Sequence, residues 1–234
     1  MPRANTLTGG RVSRTFKSPG GAPAGGTAER ILDGTLELLN REGGAAATTN
    51  HIAAHLGMSP GNLYYHFRNR EEIVRALFAR LRAEGLAATA LAENETLAAR
   101  DFGERHVQGL RSLWRYRFFF RDVTQLVARD PLLAADFRRY HETLAAQYRA
   151  VFERLVAEGN MRPPRSRNDL DRLVTNAILL WFNWLAYLGV LRPRAQVTRR
   201  DVVEGALSTF LLVEPLLEEE FAAEARAVIE GFRG

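Results

Sequence analysis

The chain has 234 residues, no cysteine, 46% hydrophobic and 25% charged residues, and a formal net charge of +5. This composition excludes a disulfide framework, cysteine-based zinc sites, a cysteine nucleophile and wholesale disorder, and the length suffices for a core without such staples. Residues 1–83 hold eleven basic and six acidic groups while 84–234 is neutral, so the excess points to a polyanionic partner for the first third.

Residues 1–26 contain Arg3, Arg11, Arg14 and Lys17, no acidic group and no apolar periodicity. A disordered basic arm is expected there. It lacks the continuous apolar stretch of a secretory signal peptide. From Thr27 onward the pattern is helical. Leu32, Leu36 and Leu39 stripe a first helix, which Gly43-Gly44 ends. Thr48 is placed to cap a short helix that turns Ile52, Ala53 and Leu56 inward. Gly57 supplies the positive φ of a sharp turn, and Ser59 caps the next helix with Pro60 at its first position. Two short helices across a turn of about three residues have helix-turn-helix spacing. In the second, Leu63 and Phe67 point inward, which leaves Gly61, Asn62, Tyr64, Tyr65 and His66 on the other faces. A helix N-terminus there also offers backbone N–H groups to phosphate oxygens. Asn69, with Glu72 reaching back three residues later, opens a longer helix striped by Ile73, Leu77 and Leu81.

Further helices are predicted over roughly 101–128, from Asp130-Pro131 to about Glu158, from Asn168 to Leu188, and after Thr198, which pairs with Asp201 as a cap. Pro215 kinks or divides the last stretch. No strand pattern emerges, so the class is all-α. Leu173 to Leu191 is an uncharged run long enough to span a membrane. Asn176 and Asn183 lie inside it, Trp181 and Trp184 sit mid-run, and no second span exists, so a helix buried on both sides is expected instead. His51 and His55 have the i, i+4 spacing of some zinc sites, but no Glu follows His51 and no Cys completes the set. No Gly-rich phosphate loop or nucleophile elbow is present. Neither a metal, a cofactor nor an enzymatic activity is expected.

Ala28 to Leu81 resembles the DNA-binding domain of the TetR/AcrR family of bacterial transcriptional regulators. The resemblance is carried by Gly43, Thr48, Ile52-Ala53, Gly57-Met58-Ser59, above all Leu63-Tyr64-Tyr65-His66-Phe67, and Glu71-Glu72-Ile73. Gly44 stands where the family usually has an aromatic, Ala47 where Thr or Ser is common, and Arg70 where Lys is frequent. The resemblance implies a three-helix helix-turn-helix domain over 27–83 and a C-terminal helical bundle over 84–234 for effector binding and dimerisation. It places Asn62, Tyr64 and His66 near phosphates, Gly61 and Tyr65 near base edges, Thr48 at the DNA backbone, and Arg70 as a phosphate-neutralising cation. The outward residues give no base code, since bidentate readers such as Arg and Gln are missing from that helix.

The resemblance further implies a homodimer formed through about 168–190 and 199–214. Two recognition helices would then meet a near-palindromic double-stranded operator about 34–36 Å apart. It also implies an effector cavity for a small apolar or aromatic ligand, with Trp114, Phe118, Trp181 and Trp184 as lining candidates and Arg121 beside them for an anionic head group. A repressor released by such a ligand, cytoplasmic and nucleoid-associated in a bacterium, with no membrane contact, is the expected role. Two other readings stay open. One is a DNA-binding regulator without a small-molecule inducer; the other is a ligand-sequestering helical protein with a vestigial DNA head.

Overall fold

A computed structural model describes residues 26–43, 47–92, 96–192 and 197–232. The basic arm expected over 1–26 therefore lies outside the described residues except for Gly26, the N-cap of the first helix. The described residues form ten α-helices and one short 3-10 turn, with a single isolated bridge between Met161 and Leu217.

Helices α1 (Thr27–Glu42), α2 (Thr49–His55), α3 (Pro60–His66) and the first half of α4 (Arg70–Thr89) enclose one end of the core. Ile31, Leu38, Leu39, Ile52, Leu63, Ile73 and Leu77 are fully buried between them. Local chemistry sets each boundary. Gly43 ends α1 at φ 99°, and its N–H bonds to the Leu39 carbonyl. Gly57 takes φ 64° in the turn between α2 and α3, a conformation that costs a residue with a Cβ but not glycine. The Asn69 side chain accepts from the Glu72 N–H, while the Glu72 carboxylate accepts from the Arg68 N–H at 2.7 Å. The reciprocal bond thus falls one residue earlier than a capping box places it.

The second half of α4 packs against α5 (Ala99–Arg115) and α7 (Pro131–Ala157). Helix α4 therefore belongs to both ends of the molecule, and the boundary expected between 83 and 84 falls inside it. The bundle is completed by α6 (Arg117–Arg129), α8 (Arg167–Leu191), α9 (Arg199–Phe210), the 3-10 turn at Glu214–Leu216 and α10 (Glu219–Gly231). Asp130 caps α7 with Pro131 at its first position, Thr198 and Asp201 form a full capping box on α9, and Pro215 lies in the 3-10 turn that divides the last stretch.

One expectation fails. The helix read over 101–128 is two helices, broken at Tyr116 with φ −107° and ψ 31°. No glycine or proline marks the break. It is held by partners distant in sequence: the Tyr116 hydroxyl donates to Glu84 at 2.7 Å, and the Asn40 amide donates to the Arg115 carbonyl at 2.8 Å. The same Asn40 side chain accepts from the Phe118 N–H at 3.1 Å. The backbone groups freed by the break are thereby satisfied.

Helix α8 is the one described helix long and apolar enough to cross a membrane. It packs against α6, α7 and α9 and buries Leu170, Val174, Ala177, Ile178, Trp181, Leu185 and Leu188. Its opposite side, with Leu179, Tyr187, Val190 and Leu191, is exposed. Helix α9 is instead buried along nearly its whole length.

Candidate nucleic-acid interface and effector cavity

Helix α3 is anchored by Leu63 and Phe67, both in the core, and capped by Ser59, whose hydroxyl accepts from the Asn62 N–H at 3.2 Å. Everything else on it faces out. Gly61 and Asn62 are exposed, Tyr64 is 47% and Tyr65 84% exposed, and half-buried His66 stands edge-on to the Tyr65 ring at 5.1 Å. A tyrosine 84% exposed gains nothing from its own fold, so its ring is available to an outside surface. A Cβ added to Gly61 would meet nothing within 4 Å, so this chain's own packing does not require a glycine there. The Tyr64 hydroxyl is held at 3.0 Å from the Thr49 hydroxyl, which ties the recognition helix to the start of α2. Thr48 caps α2 by accepting from the His51 N–H at 3.2 Å.

Arg70 is placed differently from expectation. Its side chain is only 13% exposed, pairs with Glu71 at 3.7 Å, and lies near Asp122 and Arg129 of α6. Burial lowers its guanidinium from the usual value. As placed, it is packed between the two ends of the molecule rather than presented to solvent. The exposed cation beside the recognition helix is Arg68, which the sequence reading passed over. The signal was available: from Gly43 to Arg70 the chain has no Asp or Glu, and Arg68 follows the inward Phe67 directly.

Among the five candidate lining residues, Trp181 lines a small cavity in the bundle. This space of about 50 Å³ lies between α4, α5, α6, α7 and α8, and Gly85, Leu113, Phe120, Tyr140 and Phe182 share its walls. A second cavity of about 40 Å³ shares Thr89, Gly109, Tyr148 and Trp181 with it and adds Phe102 and His106. Trp114 lies under the Arg117 guanidinium, 4.6 Å from its ring centre. Phe118 is buried where α6 meets α1. Arg121 donates to the Leu39 carbonyl at 3.3 Å, and Trp184 donates to the Asp201 carbonyl at 2.7 Å between α8 and α9. Each of these four is fixed by a partner elsewhere. A wider opening of about 310 Å³ lies at the turn between α7 and α8, walled by Phe152, Pro163, Pro164 and Leu170. No group of three or more His, Asp or Glu suited to a metal occurs among the described residues.

The cavity residue missed in the sequence is His106. It falls on the apolar stripe of α5 with Phe102, Leu110 and Leu113, and a histidine on such a stripe was the available signal. It hydrogen-bonds to the Ala206 carbonyl, while burial pulls its imidazole down to about 4 from the usual 6.5. Above pH 6.5 the ring is neutral in both folded and unfolded chains and costs nothing. As pH falls from 6.5 to 4 only the unfolded chain takes up the proton, so this group removes up to roughly 3 kcal/mol of stability by pH 4. Denaturant unfolding across that window should therefore show a shallower loss for His106→Phe than for the parent. Equal slopes would mean that His106 protonates freely in the fold.

A family described as bacterial regulatory proteins of the tetR family matches residues 31–77, and one described as bacterial transcriptional repressor, TetR, matches 87–224. The chain belongs to the TetR family. A TetR-family transcriptional regulator from Marinobacter aquaeolei VT8 is 31% identical, with a TM-score of 0.77 over 90% of this chain and 100% of that one. The transcriptional regulator UidR of Escherichia coli K12 is 24% identical over 209 residues, 88% of this chain and 92% of UidR. SmeT, repressor of the Stenotrophomonas maltophilia multidrug efflux pump SmeDEF, is 16% identical with a TM-score of 0.59, over 84% of this chain and 93% of SmeT. It shares the fold, and it is also known in complex with triclosan. The TetR-family chain thus joins a helix-turn-helix DNA-binding head to a ligand-binding bundle, and its relatives are regulators of transcription rather than enzymes.

Proposed function

We propose that this chain is a homodimeric repressor, freed from a near-palindromic operator when a small apolar or aromatic ligand enters the bundle. The observation that carries the reading is the outward face of α3, with exposed Gly61, Asn62, Tyr64 and Tyr65 over a core-anchored Leu63 and Phe67. Such a face has groove-reading chemistry, and apart from the Tyr64–Thr49 bond it has little use inside the protomer. Phosphate contact falls to Asn62, Tyr64, His66 and exposed Arg68, and Thr48 approaches the DNA backbone. Arg70 would have to leave its place beside Glu71 to join them.

The head spans 27–83 and the effector and dimer domain 84–234, with α4 common to both. The dimer face is on α8, where Leu179, Tyr187 and Val190 recur on one stripe, while α9 has little surface left to offer. A ligand shifts such a protein by binding one head spacing better than another. Action on DNA places the protein in the bacterial cytoplasm, at the nucleoid. The small volume of the two cavities at Trp181 favours the second reading, a regulator with no small-molecule inducer, because ligand sites commonly measure about 300–1,000 Å³.

Mobility shift on the DNA upstream of the protein's own reading frame tests both. The parent should give a salt-sensitive, sequence-selective shift that a ligand-rich apolar extract abolishes. Tyr64→Ala should weaken operator binding about tenfold with unchanged helical circular dichroism, since it removes an exposed ring and the Thr49 bond. Unchanged affinity for that variant would move the recognition surface elsewhere. A shift insensitive to every extract would favour the inducer-free reading.

A further inference from the structure

Two residues that wall the smaller cavity each hold a buried polar atom with no protein partner. The atoms are Nε2 of His106 and Nε1 of Trp181, on rings whose centres are 5.5 Å apart. Their chemistry is complementary. His106 bonds to the Ala206 carbonyl, and with Nε2 unpartnered that donor must be Nδ1–H. The tautomer is thereby set, so Nε2 is a lone-pair acceptor, whereas the indole N–H of Trp181 can only donate. Leaving such groups unpaired in an apolar interior is costly.

A carbonyl would satisfy Trp181 alone, and an amine N–H would satisfy His106 alone. A carboxylate would face the His106 lone pair, and Arg105, the cation in that wall, donates to the Ala90 carbonyl. A hydroxyl satisfies both at once, because it donates one hydrogen and accepts another. The surrounding walls are rings: Phe102, Tyr148 and Trp181 here, with Phe120, Tyr140 and Phe182 in the adjoining cavity. Thr89, Gly109, Tyr148 and Trp181 line both spaces, so a shift of the Tyr148 or Trp181 side chain would join them.

We propose that the bundle binds a neutral ring-bearing alcohol or phenol whose hydroxyl donates to Nε2 of His106 and accepts from Nε1–H of Trp181. The proposal rests on reading the bundle as an effector domain and names the ligand class of that site. Volumes of about 50 and 40 Å³ hold a few waters, so a ring enters only as the two spaces merge.

Titration calorimetry on the full chain without DNA, at pH 7, tests this with phenol, toluene and benzoate as probes. Phenol should bind at least about tenfold more tightly than toluene, because a site that bonds a hydroxyl rejects the isostere lacking it. Benzoate should not bind measurably. Trp181→Phe and His106→Phe should each abolish the preference for phenol while toluene binding persists. If one variant fails to fold by circular dichroism, the other carries the test. Equal affinity for phenol and toluene would overturn the proposal and mark the pair as bridged by water. So would absence of binding by both, tighter binding of benzoate, or a preference that survives in the folded variants. Phenol bound as proposed but without effect on the operator mobility shift would leave the site standing and defeat ligand release instead.

Discussion

Asp130→Ala should cost about 3–5 kcal/mol of unfolding free energy. One oxygen of the buried Asp130 carboxylate accepts from the N–H groups of Leu132 and Leu133 at 3.0 and 3.2 Å, and the other is 2.6 Å from the Arg75 guanidinium. Alanine removes the N-cap of the longest helix and also leaves Arg75 of α4 without its partner. Capping residues contribute about 1 kcal/mol. Breaking a buried pair by deleting one member costs about 3–5 kcal/mol, and the partial exposure of Arg75 puts this pair at the lower end. Asp130→Asn keeps an acceptor for the cap and should lose less. Urea unfolding at one fixed protein concentration measures both. A loss under about 1 kcal/mol for alanine would show that the pair is not stabilising and that α7 does not need this cap.

If the proposed α8 dimer forms, the double substitution Leu179→Asp with Val190→Asp should convert it to a monomer and lower operator affinity at least about a hundredfold. Both positions are exposed in the protomer, at 55% and 80%, and lie on one stripe of α8, so neither change disturbs the core. Dimerisation would bury four carboxylates across a two-fold axis, in the middle of an apolar stripe. Each unpaired buried charge costs several kcal/mol, more than one helix face can offset. A single head on one half-site has roughly half the contacts, hence the fall in affinity. Sedimentation equilibrium at micromolar concentration and a mobility shift read the two effects, with circular dichroism as the fold control. A dimer of unchanged mass would place the interface away from α8.

What the sequence disclosed and what it withheld divide along the range of the interactions. Thr48, Ser59, Asn69, Asp130 and Thr198 cap their helices through atoms two or three residues away, and these were readable. The recognition helix was readable for the same reason, because Leu63 and Phe67 fix which face turns out. The break at Tyr116 was not, because its cause lies at Asn40 and Glu84. The aromatic residues of the bundle look alike in sequence. Only helix packing decides that Trp181 walls a cavity while Trp184, three residues later, spends its N–H on Asp201. Arg70 shows the converse case. Its charge suggested a solvent-facing contact, but its side chain is largely buried, beside Glu71 and near Asp122 and Arg129 of α6.

Asn40 stands on the last turn of α1 and is bonded to both sides of the break between α5 and α6. Its amide acts as a two-pronged fork astride a corner. If the angle between α5 and α6 opens or closes, the two prongs cannot both keep their bonds unless α1 travels with them. A change of shape in the bundle therefore has a mechanical route to the DNA head that bypasses α4. The bundle grips the head at two points, so α4 need not act as a lever alone. A change that bends this corner would pull on the last turn of α1 through Asn40.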